Sequence, residues 1–196
     1  MKKTGLIAVV MIGMLALSVS AQETASRQLE VAKKIVNIKN DAPNPEFKVK
    51  LSVNRPNATY KFDEEVAFKF EASKDCYLTL LNIGSSGKVS IIFPNQYQKE
   101  NFVKANVEYQ VPAEVAKFIY RAAPPEGTDV VKAIATLNHY KLFNNDSATS
   151  RTGAFAQFIG NERDINLFDA PPPAPTWVEG KTEVKIVKEL PKEPKE

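Results

Sequence analysis

The stretch that most limits the fold is a pair of apolar runs joined by four small residues, CYLTLLNI, GSSG and KVSIIF, at residues 76–93. Both runs carry apolar residues at successive positions, which is typical of strands that are buried on both faces. The linking glycines, Gly84 and Gly87, are expected to supply the positive φ angles of a tight connection. The sequence therefore predicts a β-hairpin in the interior of the protein, with other segments packed on each side of it.

The single cysteine of the chain, Cys76, lies at the start of this hairpin. A free cysteine behaves as a small apolar residue that is commonly buried. A catalytic thiol would need a base close to it, and the single histidine, His139, follows a later apolar run at no spacing known for cysteine hydrolases. We therefore predict that Cys76 is structural, and one cysteine can form no disulfide within the chain.

Alternating patterns on both sides of the hairpin predict further strands. EFKVKLSV and VAFKFEA precede it, and VEYQVP, FIYRA and VVKAIATL follow it, with Pro and Gly between the runs. Many short strands with such punctuation are typical of a sandwich or a barrel. We predict an all-β fold, a small antiparallel β-sandwich of the immunoglobulin or a related kind, with its core over residues 46–143.

The segments outside this core are predicted less sharply. Residues 22–45 form an approach segment in which QLEVAKKIVNI suits a helix or a strand. Residues 144–175 are expected to hold a covering loop or a short helix over 154–160, and then the stiff spacer APPPAP. A C-terminal strand is predicted within residues 176–190, followed by a solvated charged tail over 191–196.

The first 21 residues have the features of a signal peptide: two lysines, a short apolar run, and small residues before a cleavage point after Ala21. The run is shorter than a membrane span, so we expect a periplasmic or extracellular protein with no membrane span after cleavage. The chain has 26 basic and 23 acidic residues, a net charge of +3. Removal of Lys2 and Lys3 would leave +1, which gives no basis for a nucleic-acid partner.

The hairpin and the segments around it resemble a bacterial family, the domain of unknown function 4384. The matching stretches lie between about Val49 and Leu137 and are YKFDEEVAF, YLTLLNIGSSGKVSIIFPN, NFVKAN, PPEGTD and AIAT. The resemblance implies a small secreted or envelope-associated module, similar to a β-sandwich, that recurs as an accessory domain in larger bacterial proteins. Some of those proteins carry kinase or caspase-like peptidase domains, and the family offers no catalytic residues to carry over.

Two positions differ from the pattern of that family. Asp63 and Asn106 stand where glycines are common. Asp and Asn tolerate the left-handed backbone region better than other non-glycine residues, so the turns are expected to be preserved.

No pattern in the sequence predicts a catalytic residue, a cofactor or a metal site. Nucleotide-binding loops, HExxH and CxxC are absent, and one histidine with one cysteine makes a poor zinc site. The acids at Asp63, Glu64 and Glu65 lie in a turn, where a charge cluster is usually solvated. A hydrolase that uses Cys76 or paired acids is therefore the least favoured hypothesis.

The best candidate for a functional segment is the loop PNQYQKENF, residues 94–102. It combines aromatic rings with amides, which is typical of protein and sugar contacts. We expect Asn95, Tyr97 and Gln98 to make such contacts. The alternative is that the aromatic residues of the loop only close the edge of the sandwich.

These features lead to two hypotheses. The first is a non-catalytic exported module of the envelope that binds another exported protein through a strand edge or through the loop at residues 94–102. The second is a module that binds carbohydrate or cell wall through the same loop.

Overall fold

The computed structural model describes residues 22–144 and 148–189 of the chain. This part of the chain is mostly β, with its eleven strands arranged in two sheets. No helix within the described ranges is long and apolar enough to cross a membrane. The predicted signal peptide, residues 1–21, and the predicted tail, residues 191–196, lie outside the described residues.

The helices and strands follow one another in a simple order, which begins with a helix. They are α1 (22–37), β1 (Val49–Val53), β2 (Thr59–Lys61), β3 (Phe68–Ala72), β4 (Cys76–Ile83), β5 (Val89–Phe93), β6 (Phe102–Val103), β7 (Tyr109–Val111), β8 (Gly127–Thr136), β9 (Thr149–Thr152), β10 (Phe155–Phe158), α2 (Asn166–Asp169) and β11 (Trp177–Val187). Short 3-10 turns precede α2 and β11. The segment 22–45, for which helix and strand were both open, thus begins with a helix.

The hairpin β4–β5 lies in the middle of the larger sheet, whose strand order is β2-β11-β8-β4-β5-β10-β9, with β6 beside β4. The smaller sheet has the order β1-β3-β7. Neighbouring strands are antiparallel, except that β11 runs parallel to β2. The proline-rich spacer leads the chain back into the larger sheet, as predicted, because β11 pairs with β8 along its length.

Two apolar clusters lie on the two faces of this hairpin. The first core joins both sheets and includes Leu78 and Leu80 from β4 with Phe68 and Phe70 from β3. The second core lies on the opposite face of the larger sheet, where α1 and the segments 142–144 and 161–167 cover it. It includes Leu81, Ile83, Val89, Ile91, Val31, Ala32 and Ile35. The prediction of an interior hairpin with protein packed on each side is confirmed.

A β-bulge in β5 sets the direction in which the chain leaves the hairpin. Leu80 pairs with Phe93 and Leu81 pairs with Ile91, so Ile92 is an extra residue on the β5 side. Ile92 and Phe93 are both buried in the first core. A bulge bends the strand that contains it, and the loop at residues 94–102 begins directly after this bend.

A buried lysine joins α1 to the larger sheet. Lys132 of β8 is 2% exposed, and its Nζ donates hydrogen bonds to the carbonyl oxygens of Val36, at 3.0 Å, and of Ile38. These carbonyls lie at the C-terminal end of α1, where the helix has no internal donors left for them. Burial lowers the pKa of Lys132 to about 8, although the nearby Glu179 carboxylate acts in the opposite direction.

Three local predictions are corrected by the structure. The segment around 154–160 was expected to be a covering loop or a short helix, but Phe155–Phe158 form β10, which pairs with β5 and β9. The open side of β5 needs a strand, and the burial along β10 alternates with the period of two that a strand requires. FIYRA does not form a strand of either sheet. It is held to the turn before β3 by an isolated bridge between Arg121 and Glu65 and by backbone hydrogen bonds, such as that from the amide of Val66 to the carbonyl oxygen of Tyr120 at 2.9 Å. The turn before β3 contains a short strand, β2.

The backbone predictions for turns are mostly confirmed. Asp63 and Asn106 have φ angles of 64° and 57°, in the left-handed region. In the hairpin loop only Gly87, with φ of 84°, needs glycine, and the expectation for Gly84 was wrong. The amide of Gly87 donates to the carbonyl of Gly84 at 2.8 Å, so the connection is a hydrogen-bonded turn followed by one left-handed residue.

Candidate functional site

The loop at residues 94–102 owes its shape to Asn95. The Oδ1 atom of Asn95 accepts hydrogen bonds from the backbone amides of Tyr97 and Gln98, each at 2.9 Å. Its Nδ2 donates to the carbonyl oxygen of Ile92 at 3.0 Å and to Oε1 of Gln98 at 3.3 Å. Asn95 is 5% exposed. The side chain of Asn95 therefore fixes the conformation of the loop, and its oxygen and nitrogen atoms are both used in hydrogen bonds within this part of the chain.

Tyr97 is the exposed member of the three residues predicted for this site. It is 56% exposed, and its ring stacks on Phe118 with centroids 4.9 Å apart and an angle of 11° between the planes. Phe118 is held in turn by an edge contact with Phe155 at 5.5 Å. Gln98 is half-buried. The structure therefore brings Asn95, Tyr97 and Gln98 together, and it presents the tyrosine ring to solvent on a fixed aromatic support.

Two further exposed apolar side chains lie close in sequence to Phe118. Val115 is 93% exposed and Ile119 is 47% exposed. Together with Tyr97 and Phe118 they are called the aromatic surface below. Sequence reasoning missed Phe118 and Ile119 because it read FIYRA as a strand, and it assigned no role to Val115. The signal that could have found them is VAKFI, an apolar cluster in a segment with no alternation.

A groove of about 250 Å³ runs beside the aromatic surface. Residues from β7, from the segment after it and from the segment directly before β3 line it, among them Gln110, Pro112, Ala113, Phe118, Ile119 and Tyr120. Within the described part of the chain β7 pairs with β3 alone, so its other side is an open edge. The groove therefore includes Gln110 of an edge strand, whose open side has backbone groups that can accept another strand.

Cys76 is buried in the first core and is fully inaccessible to solvent, as predicted. Burial, with the Asp75 carboxylate as a smaller cause, raises the pKa of the Cys76 thiol to about 12. The ring of His139 makes an edge-to-face contact with the ring of Tyr77, the residue after Cys76, with centroids 5.3 Å apart. Because successive side chains of a strand point to opposite faces, Cys76 and His139 lie on opposite sides of β4. The geometry gives no support to a thiol–imidazole pair.

Two of the acids in the turn at residues 63–65 form ion pairs with arginines. Glu64 accepts a hydrogen bond from Arg55 at 2.5 Å, and Glu65 pairs with Arg121 at 3.3 Å. The hydrogen bond from Arg55 holds the pKa of the Glu64 carboxyl below its ordinary value, whereas a general acid needs a raised pKa. In residues 22–144 and 148–189 no group of three or more His, Cys, Asp and Glu side chains is arranged to hold a metal ion.

The hairpin, the loop at residues 94–102 and the aromatic surface all fall within the part of the chain from β2 to β8. Residues 59–139 match the family model of the Domain of unknown function (DUF4384). The resemblance expected from the residues is thereby confirmed, with a later start than the predicted Val49. The DUF4384 segment leaves out β1, β9, β10 and β11, so it supplies only part of each sheet. No curated protein and no solved structure matches the chain.

Proposed function

We propose that this protein is a non-catalytic accessory module, exported to the bacterial envelope or beyond, that binds another exported protein through the aromatic surface and the open edge of β7. The observation that carries the proposal is the exposure of Tyr97 and Val115 beside a groove at a strand edge. The signal-like residues 1–21 support export, with cleavage after Ala21.

The occupant that suits this site is an extended segment of the partner with apolar side chains at alternate positions. Its backbone would pair with β7, and every second side chain would enter the groove lined by Pro112 and Ile119. Tyr97 would serve as an aromatic anchor, because stacking on Phe118 already restricts its ring and reduces the entropy lost on binding.

We also propose that the two sheets make up a sandwich of the immunoglobulin or a related kind. Support comes from the first core, in which Phe68 and Phe70 of the smaller sheet pack with Leu78 and Leu80 of the larger one. Face-to-face packing of sheets over a shared apolar core is the defining feature of that architecture.

The binding proposal is tested with Val115→Asp, which places a charge at the most exposed member of the aromatic surface. Val107→Asp is the matched control, because Val107 is an exposed valine, at 44%, outside that surface. After mild cross-linking in the envelope, the tagged wild-type protein and V107D should yield the same partner, and V115D should lose it. Equal yields from all three proteins would remove the aromatic surface from the proposal, provided that the circular dichroism spectra agree.

Carbohydrate binding is the second candidate, and the exposed ring of Tyr97 is the observation in its favour, because aromatic faces can stack on sugar rings. It is tested by sedimentation of the protein with purified peptidoglycan. Retention that Tyr97→Ala abolishes and Tyr97→Phe preserves would favour the sugar over the protein partner. Failure of the wild type to sediment at low salt would exclude it.

A further inference from the structure

The loop at residues 94–102 also borders a second cavity, on the face of the larger sheet that carries the second core. The cavity has a volume of about 320 Å³. Buried apolar residues of the second core, Ile91, Leu142 and Ala156, contribute to its lining. Tyr97, by contrast, contacts Phe118 on the side of the first core. The loop therefore separates two sites, and this cavity shares no residue with the aromatic surface.

The charged residues that line the cavity are all basic. Exposed Lys99, Lys141 and Arg151 come from the loop, from the segment after β8 and from β9, and His139 lies among them. No carboxylate from the described ranges lines the cavity. Lys99 and Arg151 pair with no described acid, whereas lysines such as Lys50 and Lys104 elsewhere each hold a carboxylate at 2.8 and 2.9 Å.

We propose that this cavity binds a phosphate ester of a small organic molecule. Concave sites lined by one sign of charge concentrate the field at the opening, and a guanidinium group with nearby ammonium groups is well suited to phosphate. Two cationic side chains, Lys99 and Arg151, match the two negative charges of a phosphate monoester better than the single charge of a carboxylate. The volume lies at the lower end for small-molecule sites.

The parts of the ligand are assigned by the lining. Lys99 and Arg151 hold the phosphate, and the amide of Asn101 with the hydroxyl of Thr79 supplies neutral hydrogen-bonding groups. The organic body of the ligand lies over Ile91, Leu142 and Ala156. The site is independent of protein binding at the aromatic surface.

The test is calorimetric titration of the full mature protein with glucose 6-phosphate, with glucose as the neutral probe and inorganic phosphate as the probe without an organic body. Glucose 6-phosphate should bind more tightly than either, and its affinity should fall as salt is added. Lys99→Gln and Arg151→Gln should each weaken it about tenfold or more, or ~1.4 kcal/mol. Lys88→Gln is the control, because it removes the same charge from an exposed residue of the hairpin loop outside the cavity.

Several outcomes would overturn the proposal. Equal binding of glucose would exclude the phosphate, and equal binding of inorganic phosphate would exclude the organic body. A loss in K88Q as large as in R151Q would make the effect one of net charge alone. Binding only to phosphatidylcholine vesicles that contain phosphatidic acid would assign the cations to a membrane surface, and no heat from any probe would leave the cavity without this ligand. Thermal unfolding of each variant checks that the fold is intact.

Discussion

Lys132 is a residue whose burial and hydrogen-bond partners could not be predicted from the sequence. Within VVKAIATL it looks like the polar residue of a strand with one wet face, yet its amine lies under α1 and binds the carbonyl oxygens of Val36 and Ile38. Those acceptors are far away in sequence, and nothing in the pattern of β8 indicates them. The position of Lys132 on a strand was predictable, and its burial was not.

The lowered pKa of Lys132 predicts a pH dependence of stability. The amine loses its proton near pH 8 in the folded protein and near 10.5 in the unfolded chain, so the unfolded state binds more protons between these values. The free energy of unfolding should therefore rise from pH 8 to pH 10.5, by up to about 3 kcal/mol from this group.

The measurement is urea unfolding of the wild type and of Lys132→Met, a substitution that keeps the length of the side chain without the charge. The difference between the two proteins isolates Lys132 from Cys76, whose raised pKa makes stability fall above pH 9. A difference that stays constant from pH 7 to pH 10 would show that the amine is not desolvated.

The candidate site follows the same rule at the residue scale. Asn95, Tyr97 and Gln98 were predicted from the mixture of aromatic and amide groups in one loop, and the structure brings them together. Their division into a buried organiser and an exposed ring depends on Phe118 and on the bulge at Ile92. Both are tertiary features, so the sequence of the loop alone could not predict that division.

The best-predicted elements are those with the strongest local pattern. The hairpin β4–β5 and the strands β3 and β8 follow from runs whose period, length and turn residues agree. The prediction for α1 was left open between helix and strand, and the prediction for β10 was wrong. The secondary structure of each of these segments depends on tertiary contacts with another part of the chain. The helix needs the second core, and β10 needs the open side of β5.

The contact between α1 and the hairpin loop predicts a difference between two glycines. A Cβ added at Gly87 would lie 3.0 Å from the Cα atom of Leu29 in α1, whereas one added at Gly153 would meet nothing within 4 Å. Their φ angles are similar, 84° and 80°, so the backbone strain in Gly87→Ala and Gly153→Ala should match. G153A should lower the free energy of unfolding by roughly 1–2 kcal/mol, and G87A by at least about 1 kcal/mol more.

Chemical denaturation of both variants measures this difference. Equal losses would mean that α1 can move away from the loop at no cost. In that case amide hydrogen exchange within residues 22–37 should be faster in G87A than in the wild type. Unchanged exchange would show that the contact between Gly87 and Leu29 does not hold α1 against the sheet.

The whole molecule depends on its last described strand. β11 lies between β2 and β8 in the larger sheet, and Trp177, Val178, Val184 and Ile186 are buried in the two cores. The DUF4384 segment ends before β11, at residue 139. Family resemblance therefore predicted the hairpin and its surroundings, and it could not show that the sheet needs a strand from outside the matched region.

Removal of residues 177–196 should abolish folding, because it exposes both cores and removes one of the two strands that pair with β8. Removal of residues 190–196 alone is the control, since that stretch lies beyond β11 and is rich in charge. The expected result is a cooperative urea transition for the shorter deletion and none for the longer one. A folded monomer after the longer deletion, seen by gel filtration and near-ultraviolet circular dichroism, would contradict the role assigned to β11.

The position of β11 also affects the order in which the chain can complete its structure. The strands β2 and β8 are synthesised before β11, which lies between them in the larger sheet. The position of β11 in the sheet can therefore be filled only after residues 177–187 have been synthesised. During that time the ten residues of β8, Gly127–Thr136, have an open hydrogen-bonding edge, of the kind that pairs with other chains. A chain that lacks β11, through early termination of synthesis or through cleavage between β10 and β11, is therefore expected to aggregate through the exposed edge of β8.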